Sequence, residues 1–280
     1  MKKLPLLLFL ILTIQLSAKE LISLRGNPVQ GGILICKTDS SIEKLFLDHK
    51  QIIIFKNRAL LGFDRDAELR HLLTYVMKSG EMKTIKFYLT KQEYETQRID
   101  DIPPEYLEDP TDPDVINRIE REYSTLQEVR NNIRNNQFIY LDDFRIPVEN
   151  GEITGVFGSN RILNGTTVSP HNGLDIAAPK GTDIFAMTTG IVALTGNYYY
   201  NGKFVLLDHG GGLSSIYIHM SSINVEVGDY ILRSEKIGEV GSSGRSTGDH
   251  LHWSVDWDSK RIDPEFLQKM DDVFLKIHKR

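Results

Sequence analysis

The chain has a single cysteine, Cys36, among 280 residues. No disulfide can form within it even in an oxidising compartment, so stability has to come from packing. It has no excess of positive charge: 33 Lys and Arg face 38 Asp and Glu, a formal charge of -5. That balance argues against a protein whose binding energy comes from neutralising phosphates, and so against nucleic acid as a partner. The apolar stretch at residues 4–16 is shorter than the about 20 residues a membrane-spanning helix needs. No cysteine follows that stretch where a lipid could be attached, which leaves no lipoprotein anchor. Internal repeats and low-complexity tracts are absent as well. What is left is a globular composition, long enough for two domains that each bury a core.

Met1, Lys2 and Lys3 give a basic start, the apolar stretch follows, and Ser17-Ala18 supply small residues before the polar Lys19-Glu20. This pattern predicts an export signal over residues 1–18. The alternative is an uncleaved anchor, because Leu16 is a poor residue three positions before the cut. Removing residues 1–18 takes away two lysines and no acid, leaving 31 bases against 38 acids, a charge of -7.

The fold class expected is mainly β, in two parts. Residues 19–100 carry short runs of strand formers, among them Ile33 to Cys36, Leu45 to Leu47, Gln51 to Phe55, Leu72 to Met77 and Thr84 to Leu89, broken at Gly31-Gly32, Lys56-Asn57 and Ser79-Gly80. They predict a smaller N-terminal β-rich domain with no chemistry of its own, in which Cys36 is a buried strand residue. Residues 101–140 read as a connection. Pro103, Pro104, Pro110 and Pro113 stand among acids, and then Val115, Ile119, Leu126, Val129 and Ile133 recur at three- or four-residue multiples as on an amphipathic helix. Residues 141–280 form the second domain, glycine-punctuated and antiparallel in pattern, with a hairpin turn at Asn201-Gly202. Its closing segment, Phe266, Leu267, Met270, Val273, Phe274 and Ile277, has the spacing of a C-terminal helix.

Chemistry concentrates in that second domain. Five of the eight histidines, His171, His209, His219, His250 and His252, fall within 82 residues. His250 and His252 lie in His250-Leu251-His252-Trp253-Ser254-Val255, where alternation predicts a strand and sends both imidazoles to one face. His171 and Asp175 are four apart. Two neutral imidazoles and a carboxylate suit Zn²⁺, and three protein ligands leave the fourth tetrahedral position open, as a catalytic rather than a structural zinc site requires. A hydrolase follows from that chemistry.

Three segments, His171-Asn172-Gly173-Leu174-Asp175, Tyr217-Ile218-His219-Met220 and Gly241 to His252, resemble the three signatures of the lysostaphin/LytM-type zinc metallopeptidases, in the same order. The similarity runs from about Ile153 to Pro264. The resemblance implies an antiparallel β scaffold with a groove, one Zn²⁺ held by His171, Asp175 and His252, and a catalytic pair, His219 and His250. It implies peptide bonds of bacterial peptidoglycan as substrate, cut by metal-activated water. A D-alanyl-diaminopimelate cross-link is the first expectation and a glycine bridge the second. Export to a periplasm agrees with it. The alternative is a LytM-type binding module that regulates a cell-wall amidase, and such a module does not need all five residues. Of the remaining candidates, His209 reads as structural, the loop Gly241 to Gly248 as a groove wall, and Tyr198 to Tyr200 as either cleft lining or hairpin cap. The N-terminal domain or the 115–133 helix is expected to be able to cover the groove and hold the enzyme latent. No stable oligomer is predicted.

Overall fold

In a computed structural model of the chain, residues 21–100, 108, 110–134, 144–168, 170–267 and 272–273 are described. The export signal lies outside these residues, as does much of the Pro-rich connection.

The N-terminal β region builds two small antiparallel sheets. In one, Ile22–Gly26 pairs with Ile33–Thr38, which pairs with Arg58–Gly62. In the other, Ile42–Leu47 lies between Lys50–Ile52 and Arg70–Met77, and Met82–Tyr88 completes the sheet. Alternate residues of these strands, such as Leu45, Leu47, Leu73 and Phe87, turn inward and share one apolar cluster with Ile33, Leu34, Cys36 and Phe63. Cys36 is fully buried there, and burial pushes its thiol up to about 12, so it is inert packing. Of the run Gln51 to Phe55, only its first two residues extend a strand.

The same apolar cluster continues into the second domain through Trp257 and Ile262. Contact there is close enough that a Cβ on Gly62 would meet the Trp257 ring at 2.8 Å and the Ile262 side chain at 2.9 Å. The centre of the second domain is an antiparallel sheet in the order Tyr230–Ile231, Gly190–Tyr198, Gly202–Gly210, Leu213–Met220, His250–Trp257, Leu174–Ala177 and Glu152–Gly155. Strands Gly190–Tyr198 and Gly202–Gly210 flank the expected turn at Asn201-Gly202.

Asp112 begins the helix Pro113–Arg134: its side chain accepts from the Asp114 N–H at 2.9 Å, and Pro113 fills the first position, where no donor is needed. Leu126, Val129 and Ile133 pack on Phe204, Leu206 and Ile216 of the central sheet. Arg130 reaches Asp256 at 3.3 Å, and Glu122 accepts from the Tyr199 N–H at 2.8 Å. Cross-strand pairing of Ile216 with Ser254 and of Ile218 with His252 shows that the helix docks on the sheet face that carries the histidines.

The structure departs locally from the sequence expectations in two places, the first of which borders the site. Thr96–Ile99, at the end of the N-terminal range, leaves that region and runs parallel to Asn160–Leu163, so the N-terminal part contributes a strand to the second domain. Most of the C-terminal helix expected over 266–277 lies outside the described residues, and the four of its residues that are described are not helical in the α sense. Pro264–Leu267 make a short 3-10 turn, and Asp272–Val273 pair as a strand with Ile22–Gly26. An unpaired sheet edge offers that segment backbone hydrogen bonds that its 3.6-residue spacing could not anticipate.

Candidate metal centre

Antiparallel register builds the centre. Leu174–Ala177 pairs with His250–Trp257 so that Asp175 sits directly opposite His252, and directly opposed residues project from one face within touching distance. His171, four residues before Asp175, is brought in by the turn through Gly173. A Cβ on Gly173 would meet the Ser254 hydroxyl at 2.5 Å and His252 Nε2 at 2.6 Å, so the turn has room only for glycine. The result is a triangle. His171 Nε2 lies 3.0 Å from Asp175 Oδ1 and 3.0 Å from His252 Nδ1, and His252 Nδ1 lies 2.7 Å from the same carboxylate oxygen.

Each ligand atom is aimed by a partner at the other end of its side chain. His171 Nδ1 donates to the Val156 carbonyl at 3.0 Å, which turns Nε2 inward. His252 Nε2 bonds the Ser254 hydroxyl at 2.8 Å, which turns Nδ1 inward. Arg161 donates to the other Asp175 oxygen, Oδ2, at 2.7 Å. Burial alone would raise the Asp175 carboxyl, but the hydrogen bonds from His171 and His252 hold it well below the usual carboxylate range, so it is anionic. Burial lowers the His252 imidazole, and Asp175 offsets part of that.

Two imidazole nitrogens crowded against an anionic oxygen call for a cation. A proton bridges one pair of them; a metal ion bonds all three. The edge of a tetrahedron with ligand bonds of about 2.0 Å is about 3.3 Å, close to the spacings in the triangle. With no thiolate and no fourth side chain among the described residues, the set His171, Asp175 and His252 fits zinc with an open position.

The other two histidines face the same space. His219 stands 4.9 Å from His250 and 6.3 Å from His252, ring centre to ring centre. Alternation along Leu213–Met220 would send His219 to the core side with Tyr217. The strand instead carries an extra residue opposite Lys203 to Val205, and His219 takes a left-handed φ of 66° that tips its ring into the groove. Its N–H donates to the Asn201 carbonyl at 2.9 Å, and its Nδ1 donates to the Ser243 carbonyl at 2.8 Å. Burial pushes its imidazole down to about 4, with the Ser243 hydrogen bond offsetting part. His250 Nδ1 is 2.9 Å from the Gly248 carbonyl, and its Nε2 is 3.9 Å from Asp175 Oδ1. Both imidazoles thus keep a lone pair on Nε2 facing the groove.

All five residues line one groove of about 1020 Å³, together with Tyr200, residues 245–249 and, from the N-terminal part, Gln97, Ile99 and Asp100. The loop 241–248 is a groove wall, as expected. Tyr200 is cleft lining, while Tyr198 packs under the helix.

Arg161 escaped the sequence reading because no spacing ties it to the histidines; only the fold puts it on Asp175. Ser254 was legible, two residues past His252 on the same strand face. Arg161→Gln leaves Asp175 Oδ2 without its charged partner, and zinc affinity is expected to fall about 10- to 100-fold with the fold retained, as read by chelator competition. Unchanged affinity would show that the pair does not support the centre.

His209 lies outside the groove. It is fully buried between the Thr189 carbonyl at 2.9 Å and the Ser215 hydroxyl at 2.8 Å, as its structural reading requires. Burial holds its imidazole down to about 4, against an unfolded value of about 6.5. The unfolded chain therefore takes up the proton first. Stability contributed by neutral His209 is complete above about pH 6.5 and is lost as pH falls through 4. In chelator-treated protein, His209→Gln should lose less stability than wild type between pH 7 and 4.5. Parallel acid curves from denaturant titration would remove His209 as the cause.

Residues 169–264 match peptidase family M23. The peptidoglycan DD-endopeptidase ShyA of Vibrio cholerae is 41% identical over 88 residues, 31% of this chain and 20% of that protein. The DD-carboxypeptidase/endopeptidase Mpg of Neisseria meningitidis is 36% identical over 94 residues, 34% of this chain and 22% of its own length. The matched region thus spans about a fifth of each of these relatives. A crystal structure of an M23-assigned protein from Pseudomonas aeruginosa superposes with a TM-score of 0.64 at 26% identity, covering 86% of this chain and 95% of that one.

Proposed function

We propose, from the match of residues 169–264 to peptidase family M23, that the chain is a zinc-dependent endopeptidase that hydrolyses peptide bonds of bacterial peptidoglycan. What carries the proposal is the triangle of His171, Asp175 and His252, three aimed donor atoms within 3.0 Å of one another on the floor of an open groove. A zinc ion held by that triangle would supply Lewis acidity, which can bring the pKa of a water from 15.7 to about 7.

This chain's own residues do the rest. His171, Asp175 and His252 would hold the ion, with Val156, Ser254 and Arg161 fixing the direction of their ligand atoms. His219 and His250 flank the place where a peptide carbonyl would lie. With their Nδ1 atoms committed to the Ser243 and Gly248 carbonyls, each has Nε2 available. One can accept the proton of the attacking water, and a protonated ring can stabilise the developing oxyanion and return the proton to the leaving amine. All five residues are present and convergent, which supports an enzyme over a binding module that regulates a separate amidase.

The D-alanyl-diaminopimelate cross-link is the proposed bond, by likeness to DD-endopeptidases, and the periplasm the proposed site of action. Latency is proposed as well, because Gln97, Ile99 and Asp100 of the N-terminal part border the groove. The test is to measure bound zinc in the purified chain and to incubate it with sacculi carrying diaminopimelate or glycine cross-links, weighing the released fragments by mass spectrometry. Zinc-loaded protein that releases no peptide fragment from either wall rejects the peptidase reading. A parallel sample with Gln97 and Ile99 changed to alanine reads latency: no gain in activity at equal zinc content rejects it.

A further inference from the structure

The groove holds a charged group that the chemistry above does not use. Arg245, in the loop between Gly241 and Gly248, is exposed on the groove wall. Its guanidinium lies over the Tyr200 ring, with Cζ 4.5 Å from the ring centre, and its backbone N–H donates to the Tyr200 carbonyl at 3.0 Å. Tyr200 in turn packs edge-on against Tyr199 at 5.0 Å. The loop is locked to the hairpin beneath it, because the Lys203 N–H donates to the Ser243 hydroxyl at 2.8 Å and that hydroxyl donates to the Met220 carbonyl at 2.7 Å. A guanidinium on such a platform is already oriented, so little freedom remains to be lost when it takes a ligand.

Three other arginines near the sheet are neutralised: Arg161 by Asp175, and Arg130 and Arg261 by Asp256. Among the described residues, no carboxylate comes within ion-pair distance of Arg245, although Asp100 and Asp249 line the same groove. Its position is also specific. The loop that carries it supplies the Ser243 carbonyl that orients His219, and it runs directly into His250. Arg245 and the two histidines line the same groove, so this loop borders the space a peptide bond presented to them would occupy.

Resting on the peptidase reading, we infer that Arg245 is a specificity-determining residue that binds a free carboxylate on the carbon next to the scissile nitrogen. The planar fork of a guanidinium matches a carboxylate with two parallel hydrogen bonds. A D-alanyl amide of diaminopimelate carries that carboxylate on the carbon bearing its scissile nitrogen. A glycine bridge does not, and an amidated diaminopimelate has lost the charge. Arg245 therefore selects the substrate class by its leaving group.

The test uses the zinc-loaded full chain and two synthetic cross-linked peptides that differ only in whether that carboxylate is free or amidated. Wild type is expected to prefer the free acid, and Arg245→Gln to lower kcat/KM on it about 10- to 100-fold, chiefly through KM, while changing the amidated peptide far less. Arg245→Lys, which keeps the charge but not the fork, should fall between. Equal losses on both peptides, or no loss on either, overturn the inference in favour of a merely structural stack on Tyr200. Binding of the same peptides to His219→Ala separates this contact from the peptidase reading. Preference for the free acid there, with no hydrolysis by wild type, retains the carboxylate contact and rejects the peptidase. No preference in binding rejects the contact even if wild type hydrolyses both.

Discussion

His252→Ala is expected to give a folded protein that binds no zinc and does not hydrolyse its substrate. The side chain supplies one corner of the triangle and, through its partner Ser254, fixes the direction of that corner. Its loss leaves Asp175 and His171 as a two-point site on an open groove, too few ligands to compete with water for the ion. The hydrolytic rate should fall by several orders of magnitude, because the acidity of the attacking water goes with the metal. A second readout does not depend on turnover. An ion that binds only the folded state raises its stability by mass action, so a chelator should lower the melting temperature of wild type and leave that of His252→Ala unmoved. Zinc retained at full occupancy in the variant would remove His252 from the ligand set.

His219→Ala tests the opposite combination. It is expected to keep its zinc and lose about 10²- to 10⁴-fold in rate, the usual contribution of one positioned proton-transfer group. His219 also holds a left-handed backbone, φ 66°, that a non-glycine residue adopts at a cost of about 1 kcal/mol or more. His219→Gly should therefore be as inactive as the alanine variant yet more stable than it by about 1 kcal/mol, measured by denaturant midpoint. Strain kept at a residue placed for chemistry, and relieved when chemistry is given up, is the signature sought. Two results would count against this: zinc lost together with activity in the alanine variant, or a glycine variant no more stable than alanine.

These two expectations rest on different layers of the molecule, and so did their legibility. Local order was readable. The 3.6-residue recurrence from Val115 to Ile133 anticipated the helix Pro113–Arg134, the alternation from His250 to Val255 anticipated the strand His250–Trp257, and Asn201-Gly202 anticipated the hairpin. Each is a short-range pattern, set by backbone sterics and by which face meets water. The candidate site residues were legible because three short motifs keep their order along the chain. Most of the helical spacing after Phe266 falls outside the described residues; in the two residues Asp272–Val273, pairing with a distant strand takes the place of local periodicity.

The amino-acid sequence by itself determined which side chains are available, five groups able to bind or move a proton, and which of them share a strand face. Only the tertiary structure decided that Asp175 stands opposite His252, that a bulge turns His219 out of the core face into the groove, and that Arg161 and Arg245 reach the same groove, one paired and one open. Register between strands far apart in sequence is set by the packing of whole sheets, and a shift of one residue would reverse every face. No spacing along the chain carries that information.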